Sequence, residues 1–495
     1  MNCALANAQA SAFYFMFQIV EGNSQNLKDV AGFIELVNNP PIELRDFFDT
    51  EIPIFITRAP GRLDIMGGIA DYSGSLVLEM PIAEATHSAL QKIAERKLKI
   101  VSLSENENLI FEIPLADFEM GGKPIEYETA RQIFSQNAKN HWAAYVVGVF
   151  LVLIRERGID FPKGVRILIS SKIPLGKGVS SSAALEVSVM QAVCAAFEIE
   201  LTAKEMALLC QMTENLIVGA PCGVMDQMTS VCGEENRLFS LLCQPAELQE
   251  TIEIPEKLTF WGIDSGVRHA VVGADYSSVR IGAFMGYRMI AEIAGLKVER
   301  IQEGSVKIED SRWNGYLSNV SPSEFEQFFA AKLPEKISGA EFLEKYQGTT
   351  DSITKINSEK IYAVKMPAAH AIYENFRVRT FGELLKSPID ERKLELLGEL
   401  MFGSHASYAA CNLTEAGTNR IVELVRENSA NNLYGARITG GGSGGTVAVL
   451  GRRGSDSVIS EIAEKYAAET DLRPFIFKGS SLGSFSFGHL RLEKN

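Results

Sequence analysis

Glu214 and Asp226 are the first residues that invite a chemical reading, with a turn, Gly219-Ala220-Pro221-Cys222-Gly223, in the short stretch between them. A carboxylate can hold a divalent cation or take a proton from an attacking hydroxyl. Glu214 lies among Leu208, Leu209, Met212 and Leu216, so it is either a solvated helix-face charge or a metal ligand. Asp226, between Met225 and Met228 and beside turn residues, is either a helix N-cap or a functional carboxylate. Upstream, residues 171–186 read SKIPLGKGVSSSAALE. Gly176 and Gly178 let backbone approach phosphates, Lys177 adds a cation, and Ser180, Ser181 and Ser182 after Val179 offer hydroxyls to phosphate or a metal. This is not a Walker A loop, because Gly178 rather than Ser or Thr follows Lys177, and Ser171 stands where that motif has its first Gly. Phosphoryl transfer needs phosphates held in place, a divalent metal, and a base or positioner for the attacking oxygen.

The elements around these residues suit that use. Residues 164–169 alternate like a half-buried strand, and from Ala183 strong helix formers continue to about Phe197. A strand, a glycine turn and a helix N-terminus make an anion site, because first-turn N–H groups lack intrahelical partners and the helix dipole adds positive charge. Thr202 and Glu205 form a capping box for a helix ending near Val218, and residues 140–157 form a long apolar helix beneath the loop. Two more glycine-rich stretches lie far away in sequence. Residues 58–74 carry Arg62 and Asp71, and residues 440–445 have almost no side chains to crowd a ligand. Their separation points to one cleft assembled from distant loops. Strands are expected at 52–57, 76–82, 99–103, 109–113, 258–264, 267–272, 446–450 and 474–478. Residues 297–360, polar and irregular, read as an insertion.

At 495 residues the chain exceeds one typical core, so two domains or a two-lobed unit are expected. A net charge of −14 argues against a nucleic-acid or anionic-membrane binder, and an anionic substrate would then need local cations. The 7 cysteines (Cys3, Cys194, Cys210, Cys222, Cys232, Cys243, Cys411) include no CxxC pair, which suits reduced thiols in the cytoplasm. The apolar run 142–154 is too short to span a bilayer and ends in Arg155-Glu156-Arg157. The apolar patch 10–20 has no basic residue before it, so no cleavable signal is expected.

The three glycine-rich stretches, in this order, resemble the three motifs of the GHMP small-molecule kinases, the family of galactokinase, homoserine kinase, mevalonate kinase and phosphomevalonate kinase. PGRLDIMGGIADYSG resembles the sugar signature of the galactokinase branch, PLGKGVSSSAALE the phosphate loop, and ITGGGSGGTVAVL the third motif. Residues 219–227 resemble the segment holding the catalytic aspartate, and residues 264–280 the second sugar-contacting segment. The match runs from about Arg58 to Leu492. The resemblance implies an α+β, two-lobed fold with the active site in the cleft between lobes: an extension at 1–50, an N-terminal lobe at 51–258 and a C-terminal lobe at 259–495. It implies that Asp226 accepts the proton of the anomeric hydroxyl and Arg62 stabilises transition-state charge. Ser182 and Glu214 would bind Mg²⁺, Gly176–Ser182 would cradle the phosphates of ATP, and Asp71, Gly223 and Tyr276 would hold the sugar. The implied partners are a small sugar and ATP, with neither nucleic acid nor membrane.

One departure bears on specificity. Galactokinases typically carry a Glu-His pair where this chain has Gly68-Ile69, and that pair contacts the hydroxymethyl end of galactose. L-Arabinopyranose shares galactose's ring configuration but lacks that group. An unsatisfied buried hydroxyl costs about 1–3 kcal/mol, roughly ten- to a hundredfold in discrimination. Gly68 and Ile69 therefore point to L-arabinose as acceptor, with a galactokinase, or a non-catalytic sugar and ATP sensor on the same fold, as the alternatives. Gly68→Glu with Ile69→His is expected to raise galactose use.

Overall fold

The computed structural model describes residues 17–104, 107–267 and 274–494. Its organising layer is a 10-stranded sheet whose main path runs Phe17–Glu21, Leu490–Lys494, Ile54–Met66, Leu76–Ile93, Gly164–Ser171, Lys97–Leu103, Leu109–Pro114. Pairing along it is antiparallel except between Lys97–Leu103 and Gly164–Ser171. Arg237–Leu242 pairs with the first part of the long strand Leu76–Ile93. A second, 4-stranded antiparallel sheet is formed by Leu433–Ile438, Thr446–Arg452, Leu258–Asp264 and Ile476–Lys478.

The helix Ala143–Arg157 is buried around most of its circumference, which accounts for its apolar run; it packs in the largest core with the helix Ser181–Phe197. No helix among the described residues is long and apolar enough to cross a membrane. The insertion has its own core, in which Trp313, Phe325, Phe329, Phe342 and Tyr362 pack with Met285, Ile290 and Ile372 from the helices Ala274–Ile293 and Lys365–Lys386.

The chain departs from the expected linear division in two places. Strand Phe17–Glu21 and helix Lys28–Asn38 do not hang off as an extension: Phe17, Val30, Phe33 and Val37 share a core with Ile54, Ile56 and Leu168. Leu490–Lys494, from the far end of the chain, lies between Phe17–Glu21 and Ile54–Met66. The strand expected at 52–57 also runs on to Met66, through Pro60-Gly61. A register shift between Pro60 and Arg62 lets it do so. The expected strand at 267–272 falls mostly on residues outside those described.

Candidate active site

The sugar-signature strand and the phosphate loop meet at Gly61. A Cβ there would lie 2.6 Å from the Val179 carbonyl oxygen, and the N–H of Arg62 donates to that same oxygen at 3.1 Å. This close approach aims the Arg62 side chain into a cavity of about 390 Å³. Its Nη2 lies 2.7 Å and its Nε 3.0 Å from Oδ1 of Asp226, and Nη1 donates to the Gly178 carbonyl at 2.9 Å. Glu79, fully buried in the neighbouring strand, reaches within 3.3 Å of Nε. Burial alone would lower the Arg62 pKa, but the charges of Asp226, Glu79 and Asp64 outweigh it and hold the guanidinium above its ordinary value. Asp226 is not an N-cap: Val224 holds that position, and the Asp226 carboxylate belongs to Arg62.

The phosphate loop ends on Ser180, which begins the helix Ser181–Phe197 with φ +59 and no side-chain cap. An ordinary N-cap is extended and bonds a first-turn N–H itself. Here those N–H groups have no side-chain cap, and the buried Ser180 hydroxyl has no hydrogen-bond partner. Gly176 and Gly178 sit at φ +71 and +69, in the left-handed region that favours glycine. Gly176, Gly178, Ser180, Ser181 and Ser182 all line the cavity. Lys177 and Val179 do not. The Lys177 ammonium turns to Asp264 at 2.7 Å, so its expected service to a phosphate is replaced by an ion pair with a buried carboxylate. Val179 is buried and offers its carbonyl to Arg62.

Glu214 lies in a π-helical turn, Thr213–Val218, that continues the helix Ala203–Met212. Such turns often mark functional sites. Its carboxyl lines the cavity and is pushed up to about 7, by burial first and then by the Asp226 charge; hydrogen bonds from Ser182, Cys222 and Gln227 partly offset this. Gln227 donates to Glu214 Oε2 at 2.7 Å and to Glu186 Oε2 at 3.3 Å. Burial, reinforced by the Glu214 charge, raises Glu186 well above its ordinary value. Among the described residues no cluster of three or more His, Cys, Asp or Glu could hold a metal by itself. The oxygens of Glu214, Ser182 and the unpartnered Ser180 do fit Mg²⁺, which binds through one or two carboxylates while phosphates and water complete its shell.

The residues expected to hold the sugar are built on the short turn Gly68–Ser73. Asp71 is buried and raised to about 7, by burial first and then by Asp226, with Arg280 opposing. Gly223 makes room for it: a Cβ at that position would stand 1.6 Å from Asp71 Oδ2. Asp71, Gly223, Tyr276 and Ile69 line the same cavity as Arg62 and Asp226. Gly68 does not line it. With φ +47 it faces Tyr408, whose hydroxyl would lie 1.7 Å from a Cβ there. Gly68→Glu with Ile69→His would therefore raise galactose use only if the Tyr408 hydroxyl moved aside for the new side chain at 68. Trp142, Tyr145, Leu175 and Leu185 add apolar side chains to the lining of the cavity.

Sequence reasoning passed over Glu79, Glu186, Gln227 and Tyr408. Glu79 and Glu186 had a signal, each being the single charge in an apolar run (LVLEMPI and AALEV). A charge in such a run is costly to bury unless it is partnered or put to use. Tyr408 had none, since only the fold brings it against Gly68.

Three family models match in order: the galactokinase galactose-binding signature over residues 43–92, the GHMP kinases N terminal domain over 144–234, and the GHMP kinases C terminal over 383–468. The chain is 44% identical to the L-arabinokinase of Arabidopsis thaliana over 97% of its own length and 52% of that protein, so it spans about half of that relative. It is 29% identical to a galactokinase of Actinobacillus pleuropneumoniae, covering 79% of this chain and 84% of that one. Among solved structures, the Lactococcus lactis galactokinase complexed with galactose superposes with a TM-score of 0.67 at 21% identity, covering 92% of this chain and 99% of the other. The Methanococcus jannaschii mevalonate kinase gives 0.52 at 16% identity, covering 86% and 98%. At these identities the two structures speak to the fold alone.

Proposed function

We propose that the chain is a GHMP kinase of the galactokinase-like branch, an ATP-dependent sugar 1-kinase converting L-arabinose to L-arabinose 1-phosphate, a reading supported by its three ordered family-model matches and its likeness to L-arabinokinase. The observation that carries this reading is the Arg62–Asp226 pair. It shares one cavity with an uncapped helix N-terminus and with Asp71 and Tyr276. The anomeric hydroxyl of the sugar lies against Asp226, which orients it and takes its proton as the oxygen attacks the γ-phosphorus. A new O1–P bond forms as the P–O bond to the β-phosphate breaks, and ADP leaves. Arg62 and the first-turn N–H groups of the loop helix offset the charge spread over the transferring group. Glu214 and Ser182 would hold Mg²⁺, which supplies charge neutralisation at the β- and γ-phosphates. The apolar side chains of Trp142, Tyr145, Leu175 and Leu185 suit the purine of ATP. The lobes are taken as 51–258 and 259–495, with strand Leu490–Lys494 returning to the first. The described cysteines are free, in keeping with a cytoplasmic enzyme.

L-Arabinose is favoured over galactose because Ile69 presents only an apolar side chain to the cavity and Gly68 presents none. The test is ADP release against L-arabinose, D-galactose, galacturonate, glucuronate and mevalonate. The reading expects the highest kcat/KM with L-arabinose. Preference for galactose would overturn the substrate assignment, and ATP turnover with none of them would overturn the kinase assignment.

A further inference from the structure

The wall at Gly68 and Ile69 is held from outside the sugar signature, by a residue on the helix Glu391–Ala410. Tyr408 is fully buried, and its ring packs edge-on against His370 at 5.1 Å with the Arg437 guanidinium 5.2 Å above it. Its hydroxyl makes both bonds available to it in line with the wall. It accepts the N–H of Ile69 at 2.8 Å and donates to the carbonyl of Gly440 at 2.8 Å. Asp64, beside it, joins the same pieces: its carboxylate accepts from Gly68 N–H at 3.2 Å and Gly440 N–H at 3.0 Å, and pairs with Arg437 at 2.9 Å. Gly440 in turn stands against Arg62, since a Cβ there would lie 3.1 Å from the guanidinium.

Two consequences follow for the sugar. The space that a side chain at 68 would need is occupied by the Tyr408 hydroxyl. The amide of Ile69, which lines the cavity, is already bonded to the Tyr408 hydroxyl. A pyranose with its anomeric hydroxyl on Asp226 and ring hydroxyls toward Asp71 would turn its remaining substituent, at C5, to the apolar Ile69 side chain and an Ile69 amide already bonded to Tyr408, while the unpaired Nη2 of Arg437 lies behind Gly68 and outside the cavity lining. A hydroxymethyl group there would bury a hydroxyl without a partner, whereas a ring CH₂ would need none.

We propose that Tyr408 is the specificity-determining residue of this pocket: its hydroxyl, fixed between the Ile69 amide and the Gly440 carbonyl, closes the Gly68–Ile69 wall so that the site takes an aldopentopyranose and rejects the matching hexose. Tyr408 acts through the wall and does not touch the sugar. The inference rests on the sugar 1-kinase reading above and deepens it.

The test uses three acceptors with one ring configuration that differ only at C5: L-arabinose (hydrogens only), D-fucose (methyl) and D-galactose (hydroxymethyl). The readout is the ratio of their kcat/KM values within one preparation, which does not depend on the fraction folded. The wild type is expected to rank arabinose first and galactose last. Tyr408→Phe keeps the ring but frees the Ile69 N–H for a substrate hydroxyl. It should lower the arabinose-to-galactose ratio roughly tenfold, with a smaller change for D-fucose, which has no hydroxyl to pair. A ratio within twofold of wild type overturns the assignment to Tyr408. Ile69→Val, a change of one methyl that the fold should accept, provides a second reading of the wall. D-fucose should gain on L-arabinose, and no gain places C5 elsewhere and overturns the inference. Failure of the wild type to release ADP with all three sugars would instead overturn the kinase reading itself.

Discussion

Replacing Gly223 with alanine should damage sugar use while sparing nucleotide binding, and the size of the effect follows from one contact. A Cβ at 223 would lie 1.6 Å from Asp71 Oδ2, 2.1 Å from its Cγ and 2.6 Å from its Oδ1, whereas real Cβ contacts essentially never fall under 3.0 Å. The carboxylate must therefore retreat by about 3.0 − 1.6 = 1.4 Å, or the turn at 223 must give by the same amount. Asp71 has little freedom to retreat, being buried and holding the Tyr72 N–H at 2.6 Å. A misplacement of about 1 Å in a positioning group can cost about 10²-fold. Gly223→Ala should thus lower kcat/KM for the sugar about a hundredfold, change the affinity for MgATP less than threefold, and destabilise the fold by about 1–3 kcal/mol through overpacking. Steady-state kinetics with each substrate varied, calorimetric titration with nucleotide, and thermal melting read these three quantities. Gly32→Ala is the matched control. Gly32 is exposed in the helix Lys28–Asn38 with nothing within 4 Å of its Cβ position, so alanine there should stabilise by up to about 1 kcal/mol and leave kinetics alone. Sugar kcat/KM within threefold of wild type in Gly223→Ala would refute the placement of Asp71.

Asp226→Asn should reduce turnover on the order of 10³-fold and leave sugar binding detectable by titration, because the amide oxygen can still accept from Arg62 but cannot take a proton; near-normal turnover would remove Asp226 from the mechanism. Stability of the ligand-free protein should fall as pH rises from about 4 to about 7. The sign follows from Asp71, raised by burial and by Asp226 from 3.8 to about 7: in that window the folded state keeps a proton that the unfolded state releases, an effect of at most about 4 kcal/mol. Asp71→Asn removes its share, so melting temperature against pH should be flatter for the variant, with a remaining slope shared by Glu214, Glu186 and Glu79, which burial also raises; parallel curves would count against a protonated Asp71.

How far the sequence carried the reading depended on where the information lay. The strand Gly164–Ser171, the loop, and the helix Ser181–Phe197 were legible because local periodicity and helix formers decide them. The Thr202–Glu205 capping box was legible for the same reason, and the structure contains both of its bonds. Residue type left Glu214 and Asp226 open between bland and functional readings; the resemblance to family motifs singled out Arg62, Asp71, Glu214 and Asp226, and all four line one cavity. What failed was long-range. Nothing near Lys177 announces that Asp264 will claim its charge, and nothing near Gly68 announces Tyr408. The N-terminal segment was read as an extension because its partner strand, Leu490–Lys494, is at the other end of the chain. The strand expected at 52–57 runs on to Met66, because a register shift between Pro60 and Arg62 carries it through Pro60-Gly61.

The most direct measurement of the central claim is the position of the phosphate in the product formed from L-arabinose and MgATP. Phosphorus–proton correlation NMR of that mixture should show a phosphorus nucleus coupled to H1 of the sugar, in amounts equal to the ADP formed. A phosphate on any other carbon, or ADP accumulating with free phosphate and unchanged arabinose, would contradict the account.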